Sequence, residues 1–143
     1  MVKKVQSDLW GKTRRPLEAE VMREIKQFLD AKRIFFFRQN SGAYKDGERY
    51  IKFGAAGVSD FVALFPGDAN GNGAGRFWYI ESKRPGGRLS DSQLEFICLA
   101  RAHGAVITIA ESSYDLETQL NDWRAPCSER YEKAINLWST RKT

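Results

Sequence analysis

Three charged side chains near the ends of two predicted strands have the types and spacing for hydrolytic chemistry. Asp60 opens a strand at Phe61–Phe65, and Glu81 and Lys83 end another at Arg76–Lys83. Residues at i and i+2 of a strand share a face, so Glu81 and Lys83 project the same way. If the two strands are neighbours, Asp60 lies beside them, and two carboxylates that close repel unless a cation bridges them. Mg²⁺ suits such a pair, being a hard ion that takes carboxylate oxygens and keeps several waters. It lowers the pKa of a bound water and stabilises charge on a scissile phosphate. Lys83 can then orient the attacking water or hold developing negative charge. Glu18 joins this group by helical periodicity. It shares a stripe with Val21, Met22, Ile25 and Leu29, whereas Glu20 and Glu24 point away. A carboxylate aimed at a core is costly without a partner, and less costly if it faces a metal. The alternative is a solvated Glu18 that complements the dipole at the helix N-terminus.

Positioning these groups requires a scaffold, and the chain predicts one. Apolar residues at three- and four-residue spacing mark a helix over Leu17–Ala31. An aromatic strand follows at Ile34–Arg38, then turn chemistry from Gln39 to Gly47 and a short strand at Arg49–Phe53. A small-residue turn, Gly54-Ala55-Ala56-Gly57, precedes the strand that Asp60 opens. Pro66–Gly75 is rich in Gly and Asn and is expected to be a mobile loop. Pro85-Gly86-Gly87 breaks the strand that ends at Lys83, and a helix over Ser90–His103 stops at Gly104. A buried-type strand at Ala105–Ala110 and a helix at Ser112–Trp123 come next. After Pro126 a last amphipathic helix carries Tyr131, Ala134, Ile135 and Trp138 on one face. Strands interleaved with helices predict an α/β sandwich with a mixed central sheet.

Composition narrows the chemistry. With 143 residues, 42% of them hydrophobic, the chain can bury one proper core. It carries a formal charge of +5 and a pI near 9.3, a balance that favours a polyanionic partner. Lys3, Lys4, Lys12, Arg14 and Arg15 form one basic cluster, and Lys83, Arg84 and Arg88 a second. Both can track phosphates. Cys98 and Cys127 form no CxxC pair, so reduced thiols are expected in place of a disulfide or zinc site. His103 is the only histidine, which excludes a His-rich metal site and leaves a Ser-His triad only if His103 is its base. Catalysis must therefore run on carboxylates and lysines. The first residues lack an apolar signal core, and no apolar run spans a membrane, so a soluble, intracellular protein is expected.

The motifs Glu18, Gly57-Val58-Ser59-Asp60-Phe61, Ile80-Glu81-Ser82-Lys83 and Ser90-Asp91-Ser92-Gln93, in that order, resemble the VRR-NUC family of the PD-(D/E)xK nuclease superfamily. The resemblance spans about Leu17 to Trp123. It implies a restriction-endonuclease-like sandwich with an αβββαβ core at 17–123, preceded by the basic arm 1–16 and followed by a helical extension, 124–143, packed on the same domain. It also implies hydrolysis of DNA phosphodiesters with Mg²⁺ or Mn²⁺. Asp60, Glu81 and the Ser82 backbone carbonyl would hold the metal, with Glu18 contributing directly or through water. Lys83 and Gln93 would complete the catalytic set, and Asn40, Ser41, Arg84 and Arg88 would contact DNA. Short stand-alone members look like phage or bacterial enzymes that act as homodimers on four-way junctions. That implies a cytoplasmic, Holliday-junction-resolving enzyme with no nucleotide cofactor and no membrane partner. Two other readings stay open: cutting of flaps, nicks or duplex by the same chemistry, and a non-catalytic nucleic-acid-binding module. The family has proline where this chain has Ser59, a residue that shapes the turn and does no chemistry.

Several segments admit a plainer reading. Ser90 and Gln93 also form a capping box. Asn40-Ser41-Gly42 reads first as a turn. Asp68–Gly73 imitates the start of an EF-hand loop, but its twelfth position is Tyr79, so calcium binding is rejected. The helix at Ser90–His103 is apolar almost all round, which means cover on more than one side, either by the terminal helix or by a second copy. Trp10, Trp123 and Trp138 can stack on bases, with packing as the default.

Overall fold

Val21, Ile25 and Leu29 recur on one side of the first helix and are fully buried, and the molecule is organised around that stripe. The computed structural model describes residues 15–39, 42–53 and 56–142. In chain order these form α1 (Glu18–Ala31), β1 (Phe36–Arg38), β2 (Gly42–Asp46), β3 (Arg49–Phe53), β4 (Phe61–Leu64), β5 (Phe77–Ser82), α2 (Asp91–Ala102), β6 (Val106–Ala110), α3 (Ser113–Asn121) and α4 (Glu129–Lys142). Four strands make a mixed sheet in the order β1-β4-β5-β6, antiparallel except for the parallel β5–β6 pair. α2 crosses over between β5 and β6, as a parallel pair requires. The chain therefore has an α/β fold with a mixed sheet flanked by helices, the layering of restriction-endonuclease-like folds.

Strand alternation sends side chains into two cores. Phe61, Ala63, Trp78, Ile80, Val106 and Ala110 pack with α1 and with Leu116 of α3. Ile107 and Ile109 pack instead with Leu94 and Ile97 of α2 and with Tyr131 and Ile135 of α4. All five residues of β6 are buried, as expected for a strand covered on both faces. α2 is thus covered by both the sheet and α4, which share this core, although Leu99 remains 57% exposed.

One polar chain crosses the first core. Trp78 Nε1 donates to Thr108 Oγ1 at 2.8 Å, and that hydroxyl donates to Gln119 Oε1 at 2.8 Å. Gln119 Nε2 then donates to the carbonyls of Asp122, Trp123 and Ala125 and closes the end of α3. Thr108→Val keeps the shape but strands the indole N–H and the amide oxygen. It is expected to lower unfolding stability by about 1–3 kcal/mol, read by denaturant titration.

The segment expected to be one long turn from Gln39 to Gly47 contains strand β2, paired antiparallel with β3 from Gly42↔Phe53 to Asp46↔Arg49. Gly47 takes φ +65 as the first of the two connecting residues, Gly47-Glu48, so this step is a two-residue hairpin turn. Asn40 and Ser41 lie outside the described residues. Pro66–Gly75 is braced from within: Asp68 Oδ1 accepts the amides of Asn70 and Asn72, and Gly75 N donates to Phe65 O. A Cβ on Gly73 would overlap the Trp123 ring, which the guanidiniums of Arg76 and Arg124 also approach at 4.3 and 4.8 Å. The loop adjoins the start of β5, roughly 15–20 Å along the strand from Glu81.

Candidate active site

Register alone brings the acids together. Phe61 pairs with Ile80, so the next step of the ladder sets Asp60 beside Glu81 at the strand ends. Gln39 N donates to Asp60 O at 2.9 Å and holds the end of β1 beside it. Ser82 grips the Asp60 carboxylate twice, from its backbone N–H at 2.8 Å and its hydroxyl at 2.6 Å. Glu81 is only 3% exposed. Burial, then the neighbouring Asp60 charge, push its carboxyl up to about 9, with Lys83 opposing the rise, Glu18 adding to it, and a hydrogen bond to Asp60 favouring the protonated form.

Gln93 reaches this pair from α2. Its Nε2 donates to Glu81 Oε1 at 2.8 Å, while its Oε1 accepts the Ser90 amide at 2.8 Å. Ser90 Oγ in turn accepts the Gln93 amide at 3.2 Å. The capping box and the approach to the acids are two ends of one side-chain amide, so the helix terminus orients the group that touches Glu81. Gly57 permits this closeness. At φ +81, a Cβ there would overlap the Ser92 carbonyl, so the turn before Asp60 lies directly on the first turn of α2. Ser59 is 1% exposed and its hydroxyl has no hydrogen-bond partner among the described residues, a position where a ring without a donor would cost less.

Lys83 follows β5, fixed by its own amide donating to Ala110 O at 2.9 Å. With Leu17, Glu18, Arg84, Gly86, Gly87 and Arg88 it lines a cleft of about 540 Å³. Asp60 and Glu81 are not among the lining residues, and Lys83 stands at the boundary between cleft and acids. Two sequence expectations change here. Glu18 is exposed at the cleft mouth and does not lie on the buried stripe, because at the first turn of α1 the helix has run past the edge of the core. Glu24, expected to point away, accepts the Ser113 amide at 2.6 Å and caps α3. Sequence reasoning also missed the Ser82 hydroxyl as the partner of Asp60, and Gly57 as a close-contact glycine. Neither has a local signature, since each acts on an element distant in the chain. His103 lies at the C-cap of α2, its Nδ1 2.9 Å from Leu99 O.

Among the described residues no three His, Cys, Asp or Glu side chains converge closely enough to hold an ion. Asp60 and Glu81 nevertheless suit a hard divalent cation: burial and their mutual repulsion oppose charge on Glu81, and a cation between the two carboxylates would offset both. Among the described residues no helix is long and apolar enough to cross a membrane. A family model described as the VRR-NUC domain matches residues 10–114. No curated protein and no solved structure matches the chain.

Proposed function

The chain belongs to the VRR-NUC family, a nuclease domain of the PD-(D/E)xK superfamily, and from that membership we propose a divalent-metal-dependent, structure-selective DNA endonuclease that resolves four-way junctions as a homodimer. The observation that carries this reading is the buried Glu81 paired with a half-buried Asp60, beside Lys83 and a cleft walled by Arg84 and Arg88. A bound Mg²⁺ or Mn²⁺ would supply Lewis-acid stabilisation of charge on the scissile phosphate. Asp60, Glu81 and the Ser82 carbonyl would hold it, with Glu18 reaching from the cleft mouth directly or through water.

This chain's own groups do the rest. Gln93 fixes the rotamer of Glu81, and Ser82 fixes that of Asp60, so the acids are set before substrate arrives. Lys83 orients the attacking water and neutralises charge that builds on the phosphate. Arg84 and Arg88 take the flanking phosphates, which makes binding salt-sensitive, and Asn40 and Ser41 add contacts from the segment after β1. A junction offers two symmetric strands, and a two-fold dimer offers two symmetric sites. The enzyme would work in the cytoplasm of a bacterial or phage-infected cell.

The test is nicking of matched linear, flapped and four-way-junction DNAs in Mg²⁺. Paired symmetric cuts in the junction, lost with EDTA, are expected. Preference for flaps or linear duplex would keep the site and remove the resolvase reading. Tight DNA binding without any divalent-dependent turnover would leave only a binding module.

A further inference from the structure

We propose that Arg130, on a helix beyond the matched domain, is a positioning residue for Lys83 and acts through the backbone of Gly87. The proposal rests on the nuclease reading of the site. Arg130 Nη1 donates to the Gly87 carbonyl at 2.7 Å, and Nη2 donates to Glu111 Oε2 at 3.2 Å. The same Glu111 oxygen accepts the Gly86 amide and the Tyr131 hydroxyl, each at 2.9 Å. Both glycines of the break after β5 are thus tied to α4, one through its N–H and the other through its C=O.

That tie reaches the lysine by contact. Gly87 N closes a turn onto Arg84 O at 2.8 Å, and a Cβ on Gly87 would lie 3.2 Å from Lys83 Cβ and 3.3 Å from its Cδ. The bare Gly87 backbone is therefore the wall along which the stem of Lys83 runs. Displacement of that wall changes where the ammonium stands relative to Glu81. The base of the clamp is firm. Arg101 holds Glu132 with two bonds of 2.7 Å, Cys127 N adds a third at 2.8 Å, and Tyr131 and Ile135 are buried against α2 and β6. Arg130 itself is 49% exposed and stacks on the Tyr131 ring at 4.3 Å. A pair so open to water adds little to fold stability. Its geometry matters for the turn that it holds, and the variants below should fold.

The experiment is single-turnover cleavage by the full chain in Mg²⁺, at saturating protein, on whichever DNA the native chain cuts. Arg130→Ala is expected to slow cleavage about ten- to a hundredfold at unchanged DNA affinity, the scale of a small misplacement of a reacting group. Arg130→Lys should recover part of the rate, because an ammonium reaches one acceptor at a time. Added to Lys83→Ala, the Arg130→Ala change should cost nothing more, and amide exchange at Gly86 and Gly87 should quicken in Arg130→Ala alone. Native rates in Arg130→Ala, effects that multiply with Lys83→Ala, or unaltered exchange at the two glycines would each overturn the positioning role while the nuclease reading stands. A native chain that cuts no DNA fails the nuclease reading, and the positioning role with it.

Discussion

Asp60→Ala is expected to lower single-turnover DNA cleavage by at least about a hundredfold, the loss typical when charge stabilisation at a reacting centre is removed. The change deletes one of the two carboxylates proposed to hold the metal. It also leaves the Ser82 amide and hydroxyl without their acceptor, so part of any loss could come from the turn and not from the chemistry. Asp60→Asn separates the two. Its amide oxygen still accepts from Ser82, but the side chain has no charge to give a cation. If charge is what matters, the Asp60→Asn protein melts close to the native chain and cuts no better than the alanine variant. Cleavage by Asp60→Asn within about tenfold of the native rate would remove Asp60 from the metal-holding set.

The second large effect concerns stability. Glu81 is raised to about 9 first by burial and then by Asp60, so in metal-free protein its ionisation opposes folding. An acid with a raised folded pKa contributes stability that is fully present below its unfolded value of 4.5 and is lost as pH rises through the folded value. With a chelator present, the native chain should therefore lose stability steadily between those limits. Glu81→Gln keeps the shape and can still pair with Gln93, but cannot ionise. Near pH 8 it should be more stable than the native chain by an amount on the order of 1–3 kcal/mol, while cutting no DNA. Saturating Mg²⁺ should raise the melting temperature of the native chain and not of Glu81→Gln, since a ligand stabilises only the fold that binds it. A native-minus-variant difference that stays flat with pH would mean that Glu81 carries no such strain.

Taken together, these expectations describe a site assembled at a cost to the fold and secured from several sides. Ser82 and Gln93 hold the acids, Gly57 lets α2 come close enough for Gln93 to reach, and α4 braces the turn beside Lys83. Only the last of these comes from outside the matched residues 10–114.

Much of this was readable in the chain itself, because the signals are local. Val21, Ile25 and Leu29 declare α1 by spacing, the β-branched, mostly apolar run of β6 declares a strand covered on both faces, and Glu81 and Lys83 share a face by strand parity. Ser90 and Gln93 announce a helix start whatever else they do. Tertiary structure decided what depends on distance through space. Periodicity placed Glu18 on the buried stripe but could not show that the stripe leaves the core one turn early. The β2–β3 hairpin was hidden in turn-forming residues, because pairing across Gly47 depends on the partner strand. The burial of Glu81, the double grip of Ser82 on Asp60 and the contact of Arg130 with Gly87 all join residues remote in sequence. Residue type and spacing determine which groups are able to react, whereas desolvation and proximity, which set their pKa and orientation, exist only once the strands and helices have met.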